Sequence, residues 1–275
     1  MTPNHCIFCG QDFPGGRSEE HVIPQWLQKE LSIKNTIVFP ILIETNENGF
    51  KPEPAYVRRH TFHGLIEGRV CKSCNCGWMS KLEELASPVL LPLINRQRLV
   101  EGLGPAERLI IARWAAKTAY VLNRSANFKL KVPDEHLRAI YAHHARLPKG
   151  MFVLAQQHRN TEPASWIQSA SWNVAPAQQV TEKVKTALAT RSYKIAIQLG
   201  TLLLLVAYSP SPNWKLALWR GIHTPFWPEI GKVGFYDREE SAFPFSSTQD
   251  ALLTFFWSVH LVHTTALHNK STFTG

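Results

Sequence analysis

The stretch Val70-Cys71-Lys72-Ser73-Cys74-Asn75-Cys76-Gly77-Trp78 contains two cysteines separated by two residues. A second pair with the same spacing lies upstream, in His5-Cys6-Ile7-Phe8-Cys9-Gly10. Thiolates at this spacing can face one metal ion from a tight turn, and two such turns complete a tetrahedral set of ligands. The sequence therefore predicts one structural Zn²⁺ bound by Cys6, Cys9, Cys71 and Cys74.

Two other residues are alternative ligands for this zinc site, namely Cys76 and His5. Cys76 could replace a member of the second pair, but only Cys71 and Cys74 repeat the spacing of the first pair. Cys-x-x-Cys pairs also carry out redox chemistry of the thioredoxin type. That alternative needs a single pair and leaves the other one unexplained.

The distribution of cysteines and apolar segments indicates the compartment. All five cysteines lie between residues 6 and 76, whereas secreted disulfide-rich proteins spread and pair theirs. The start Met-Thr-Pro-Asn lacks the charged and then apolar segment of a signal peptide. The apolar segments 195–208 and 251–267 are interrupted by polar residues, so we expect no membrane partner. These features predict a cytoplasmic protein.

Positive charge is concentrated in the C-terminal two thirds of the chain. The net charge is +9, and residues 101–275 hold 19 Lys and Arg against 11 Asp and Glu. Within the basic segment 105–159, a predicted helix over 105–123 has an apolar face and an opposite face with Arg113, Lys117 and Arg124. Such a face would contact nucleic-acid phosphates without reading the bases. The alternative is an ordinary solvated helix face.

Periodicity predicts an α+β protein of two domains, residues 1–87 and residues 88–275, with a strand-rich C-terminal half. The boundary is placed in the segment 89–104, which contains proline and glycine and follows a helix that is expected to stop near Pro88. The predicted helices cover 25–31, 78–86, 105–123, 134–145, 181–190 and 249–268. The predicted strands cover 36–43, 55–62, 151–155, 166–174, 193–199, 201–209 and 215–220.

Between the two cysteine pairs lies Ser18-Glu19-Glu20-His21-Val22-Ile23-Pro24, and Asn75 follows the second pair directly. In this order the chain resembles the HNH endonucleases of the His-Me finger superfamily. Their pattern is Cys-x-x-Cys, then Asp-His, two apolar residues and Pro, then Cys-x-x-Cys followed by His or Asn. The resemblance covers roughly residues 5–86 and implies a zinc-stapled ββα-metal finger. Glu20 stands where Asp is commoner, and no residue clearly matches the family's middle Asn.

The resemblance implies a role for each of these residues. His21 takes the place of the general base, because a neutral imidazole near pH 7 can accept a proton from water. Glu20 and Asn75 take the places of ligands to a catalytic Mg²⁺ or Mn²⁺. The Zn²⁺, saturated by four thiolates, would not be catalytic.

The implied activity is Mg²⁺-dependent hydrolysis of phosphodiester bonds in nucleic acid, with DNA as the expected substrate. Chains of this design are associated with restriction and phage defence. One finger would give a nick, and a double-strand break would need a homodimer, a partner protein or sequential nicking. An acid–His pair on a surface turn also occurs without catalysis. The alternative is therefore a non-catalytic zinc-finger adaptor that binds nucleic acid or protein.

Overall fold

Two short antiparallel strands and a helix form the N-terminal finger. Strand β1 (Arg17–His21) pairs with β6 (Ile66–Cys71), with Glu20 opposite Glu67 and His21 opposite Ile66. The chain then continues into α2 (Lys72–Cys74), an irregular turn over Asn75–Met79 and α3 (Ser80–Ile94). The computed structural model describes residues 5–38, 41–46, 49–54, 60–126, 132–143, 145–159, 163–169, 172–175, 181, 186, 191–210, 214–219, 223–228, 234–236 and 248–263.

The segment between β1 and β6 contains a short helix and two strand pairs. Its elements are α1 (Gln25–Glu30), β2 (Ile37–Val38), β3 (Ile41–Asn46), β4 (Gly49–Pro54) and β5 (His60–Thr61). Strands β3 and β4 pair with each other, with Asn46 opposite Gly49. The strand predicted over 36–43 is divided between β2 and β3. The strand predicted over 55–62 contains β5, which pairs with β2, and residues 55–59 lie outside the described part.

The prediction that a helix stops near Pro88 is wrong, because α3 continues through this residue. It runs from Ser80 to Ile94 and contains both Pro88 and Pro92. Each proline removes a backbone donor and weakens the helix. The buried apolar residues of α3 offset this cost, and they extend on both sides of Pro88: Leu82, Ala86, Val89, Leu90, Leu93 and Ile94. The division expected between residues 87 and 88 therefore falls inside a continuous helix.

Helix α4 (Pro105–Ser125) lies at the centre of the molecule and confirms the helix predicted over 105–123. Pro105 occupies its first turn, and the Gly104 amide donates to the Glu107 carboxylate at 2.9 Å. Every residue from Ala115 to Asn123 is buried, so this part of α4 is enclosed on all sides. Helix α5 (Asp134–Ala142) follows, three residues shorter than the predicted 134–145.

Among the described residues, the larger sheet has the strand order β13-β7-β11-β10-β8-β3-β4. Strands β8, β10, β11, β7 and β13 are antiparallel neighbours, and β3 joins parallel to β8. The bounds not yet given are β7 (Met151–Gln157), β8 (Ala164–Ser169), β9 (Asn173–Ala175), β10 (Tyr193–Leu199), β11 (Leu202–Tyr208), β12 (Trp214–Trp219), β13 (Thr224–Trp227), β14 (Gly234–Tyr236), α6 (Thr248–Trp257) and β15 (His260–His263).

Two C-terminal expectations are corrected. The helix predicted over 249–268 ends at Trp257, and β15 follows and pairs with β12. The strand predicted over 166–174 is divided into β8 and β9, which belong to different sheets. A helix expected over 181–190 falls almost entirely outside the described residues.

One hydrophobic core is shared by the finger and the body of the molecule. Phe8 and Leu27 of the finger belong to the same buried cluster as Trp114 of α4 and Ile195 of β10. A second cluster covers the other face of the large sheet, under α6. In the described part of the chain, no helix has the length and apolar character needed to cross a membrane.

Candidate zinc centre and active-site residues

The four cysteines predicted as zinc ligands lie together. The sulfur atoms of Cys6, Cys9, Cys71 and Cys74 are all within 4.8 Å of one another, and the sulfurs of Cys9 and Cys71 are 3.8 Å apart. A tetrahedral Zn²⁺ with Zn–S bonds of about 2.3 Å places its sulfurs about 3.8 Å apart. This cysteine cluster therefore has the size of a Zn²⁺ site and could hold such a structural metal.

Local backbone geometry brings the two pairs of thiols together. Gly10 ends the first turn with φ +71°, a conformation that glycine adopts without strain. The amide of Cys71 lies 3.4 Å from the Cys6 sulfur, and the amide of Cys74 lies 3.3 Å from the Cys71 sulfur. The Ile7 amide also donates to the Arg69 carbonyl at 2.9 Å, which fixes the first turn against β6.

Two thiols of the cluster shift each other's pKa in opposite directions. A hydrogen bond from the Cys74 thiol lowers the pKa of Cys6 to about 4. The same interaction raises the pKa of Cys74, because its proton is held by the Cys6 thiolate. Further thiolates at this distance would repel one another unless a cation lies between them. A cation between the four sulfurs would therefore stabilise them as thiolates.

Neither alternative ligand belongs to the cluster. Cys76 is exposed and is not part of the four-cysteine group. His5 pairs instead with Asp12, at 2.6 Å between Nδ1 and the carboxylate. The choice of Cys71 and Cys74 by their spacing agrees with this geometry.

His21 lies at the end of β1, where its ring is half-buried. Its ring stacks against that of His63 with 4.9 Å between centroids. Its Nε2 lies 2.7 Å from the Gln25 amide nitrogen. With the Gln25 amide in this orientation its nitrogen donates, and Nε2 of the neutral His21 ring is the acceptor. Burial lowers the pKa of His21 below 6.5, and the neighbouring His63 lowers it further. The imidazole is therefore neutral at pH 7.

A polar cavity of about 650 Å³ borders the two residues that contact His21. Two of its lining residues, Lys29 and Lys34, are exposed and positively charged. We call it the histidine cavity, and it is lined by Gln25, Gln28, Lys29, Ser32, Lys34, Asn35, Thr36 and His63. His63 was not assigned from the sequence, because the pairing of β1 with β6 and of β2 with β5 brings it to His21. No spacing within the chain signals that contact.

Glu20 does not have the surroundings expected for a metal ligand. It is 5% exposed, and its carboxylate lies 3.0 Å from the ammonium of Lys117. The same ammonium lies 2.7 Å from Glu83 of α3. The amide of Asn75, the other expected ligand, donates to the hydroxyl of Ser18 at 2.6 Å.

These contacts test whether Glu20 and Asn75 fit a catalytic Mg²⁺ or Mn²⁺. The Glu20 carboxylate already faces a cation, and the Asn75 side chain is bonded to a different residue of β1. Among the residues that the structure describes, the cysteine cluster is the only group of three or more His, Cys, Asp or Glu at metal-binding distance. As arranged, Glu20 does not fit a divalent cation, whereas the hydrogen bond of Asn75 uses its nitrogen and not the oxygen that would bind a metal.

The face of α4 that was predicted to bind nucleic acid is not an exposed basic surface. Lys117 is entirely buried, so its assignment to nucleic-acid binding is wrong for this fold. The guanidinium of Arg113 donates to the Ile140 carbonyl at 3.3 Å, and that of Arg124 to the Val132 carbonyl at 2.6 Å and to Asp134. The reason is that α5 packs on α4 beside Arg113 and Arg124, while β1 and α3 cover Lys117. Nucleic-acid binding by Arg113 and Arg124 stays a prediction.

The fold and this geometry define a mixed α+β protein whose N-terminal finger has a four-cysteine cluster and a neutral, half-buried histidine beside a polar cavity. Comparisons with models of known protein families, with curated proteins and with solved structures found no match to this chain.

Proposed function

We propose that the protein is an endonuclease of the HNH type that hydrolyses phosphodiester bonds in DNA, with His21 as the general base. The observation that carries this proposal is the state of His21. Its ring is neutral and accepts a hydrogen bond at Nε2. It also contacts two residues of a cavity that contains exposed lysines. A base, a cavity and positive charge are three requirements for attack on a phosphodiester.

The proposed step begins when a water molecule replaces the Gln25 amide at Nε2 of His21. The imidazole takes a proton from this water as its oxygen forms a bond to phosphorus. The bond between phosphorus and the 3′ oxygen breaks, and that oxygen takes a proton from solvent. Lys29 and Lys34 would attract the phosphate to the histidine cavity and offset its charge. General-base catalysis of this kind contributes ~10²–10⁴-fold.

The resemblance implies two metal ions, and this proposal keeps only the structural one. We assign Zn²⁺ to the cysteine cluster as a structural ion, because four thiolates leave no open position for substrate. We include no step through Mg²⁺ or Mn²⁺ at Glu20 and Asn75, because Glu20, the acidic ligand of the two, faces Lys117.

The second candidate is a non-catalytic zinc-finger adaptor that binds nucleic acid or protein. The ion pair of Glu20 with Lys117 favours it, because this contact removes the acidic ligand that the resemblance assigns to catalysis. The ββα finger would then act only as a docking module held together by zinc.

Incubation with supercoiled plasmid, followed by gel electrophoresis, separates the two candidates. The zinc-loaded protein is compared with His21→Ala and with His143→Ala, which removes an exposed histidine outside the site. Each is assayed without added divalent metal and with Mg²⁺ or Mn²⁺. The nuclease proposal expects nicking by the wild type and the control and its loss in His21→Ala. Equal cleavage by His21→Ala would refute the assignment of the base. No cleavage under any condition would favour the adaptor.

A further inference from the structure

A buried cluster of three charges connects the finger to the centre of the molecule. Its members are Glu20 on β1, Glu83 on α3 and Lys117 on α4. Lys117 is 0% exposed and Glu20 is 5% exposed. The ammonium lies 3.0 Å from one carboxylate and 2.7 Å from the other. We call this group the lysine-centred cluster.

The ammonium and a divalent metal ion would compete for the Glu20 carboxylate. An oxygen ligand of Mg²⁺ lies about 2.1 Å from the ion, and the Lys117 nitrogen is 3.0 Å from the Glu20 oxygen. A metal bound to that oxygen would therefore lie at most about 5 Å from a buried ammonium. Two cations at that separation in a buried site repel each other strongly. The ammonium therefore lowers the affinity of the Glu20 carboxylate for a divalent metal.

The fold holds the ammonium in its position. Burial by itself would lower the pKa of Lys117, but the charges of Glu20 and Glu83 outweigh burial and raise it. The lysine therefore stays charged at any physiological pH. It also lies in a part of α4, Ala115 to Asn123, in which every residue is buried.

We propose that Lys117 is a built-in cation that occupies the place given to the catalytic divalent metal by the HNH resemblance. The protein then binds no Mg²⁺ or Mn²⁺ at Glu20, and any hydrolysis that depends on His21 proceeds without a metal at this position. Lys117 also connects β1 and α3 to α4, so it positions the finger on the body. The cation assignment stands on this geometry and does not require that the protein is a nuclease.

The test is a titration of the zinc-loaded protein with Mn²⁺, in which the electron paramagnetic resonance signal of free Mn²⁺ reports binding. Wild type and Glu20→Gln should bind Mn²⁺ equally, with no site that depends on Glu20. Lys117→Met leaves two carboxylates without a cation and should gain one Mn²⁺ site per chain. That site should disappear again in the double variant Lys117→Met/Glu20→Gln.

The opposite result overturns the inference. If the wild type binds one Mn²⁺ that Glu20→Gln removes, the metal displaces Lys117 and the place is a true metal site. This comparison uses only the wild type and a variant that keeps Lys117, so it decides the question even if Lys117→Met does not fold. Because the readout is Mn²⁺ binding, absence of plasmid cleavage would count against the proposed function alone.

Discussion

Two clusters of acidic groups, one within the finger and one between the finger and α4, differ in the source of the cation that neutralises them. The cysteine cluster, at the end of β6, has four thiols and no protein cation among the residues that form it. The lysine-centred cluster has two carboxylates and an ammonium from the middle of α4. In the proposed function the first cluster takes a Zn²⁺ from solution, whereas the second has a cation from the protein itself. We therefore expect folding of the finger to depend on zinc at the cysteine cluster and on helix packing at the lysine-centred cluster.

Loss of the proposed Zn²⁺ from the cysteine cluster should have the largest effect on the stability of the finger. Cys71→Ser should reduce zinc from one ion per chain to none and unfold the finger, because apparent binding energies of structural Zn²⁺ reach ~10–16 kcal/mol. The unfolding should extend past residue 87, since α3 and α4 share a core with the finger. Elemental analysis and amide hydrogen exchange measure the two effects.

The matched control for this variant is Cys76→Ser, which alters an exposed cysteine outside the cluster. It should keep one zinc per chain and the exchange pattern of the wild type. A zinc-free Cys71→Ser protein with a fully protected finger would show that the cysteine cluster is not the structural centre.

Loss of the Lys117 ammonium should have a smaller effect on stability. Lys117→Met leaves Glu20 and Glu83 buried without a partner, and breaking a buried ion pair in this way costs about 3–5 kcal/mol. The free energy of unfolding, measured with urea at fixed zinc, should fall by this amount. Mn²⁺ should restore part of it in the variant and none in the wild type.

Lys81→Met is the control for this comparison, because Lys81 is exposed on α3. Its effect should stay within about 0.5 kcal/mol. A loss of less than about 1 kcal/mol in Lys117→Met, the range of exposed ion pairs, would mean that the lysine-centred cluster behaves as a surface salt bridge.

The contrast between the two clusters also explains what the sequence could predict. The cysteine ligands were assigned from spacing because each pair forms one local turn, and its geometry depends on few other residues. Lys117 was assigned to an exposed face because helical periodicity separates faces but does not say how many of them are covered. Its partner Glu20 is 97 residues away along the chain, and only the packing of α3, α4 and β1 brings them together.

The same reasoning applies to the helix boundaries and to His63. Proline predicts a helix end from the lost hydrogen bond, but α3 continues through Pro88 because its buried apolar side chains lie on both sides of it. His63 reaches His21 through the register of paired strands. That register depends on contacts far apart in sequence.

The smallest expected effect concerns the ionisation of His21. Because burial and His63 lower its pKa below 6.5, the base is neutral above that pH and becomes protonated as the pH falls. If the proposed function holds, kcat/KM for plasmid nicking should be constant near pH 7 and decrease on the acid side with an apparent pKa below 6.5. His63→Ala removes part of the burial and the neighbouring charge. The pKa of His21 should then rise toward 6.5, and the acid limb should move to higher pH by less than about one unit.

This shift distinguishes an electrostatic role of His63 from a purely structural one. If His63 only supports the loop, its replacement should lower kcat/KM at every pH and leave the acid limb in place. His143→Ala, which removes an exposed histidine outside the site, should change neither quantity. An acid limb that moves to lower pH in His63→Ala would contradict the prediction, because it would mean that His63 stabilises the protonated form of His21. The direction of the shift therefore shows whether His63 helps to keep His21 neutral. In the lysine-centred cluster the opposite holds, because Glu20 and Glu83 keep Lys117 charged.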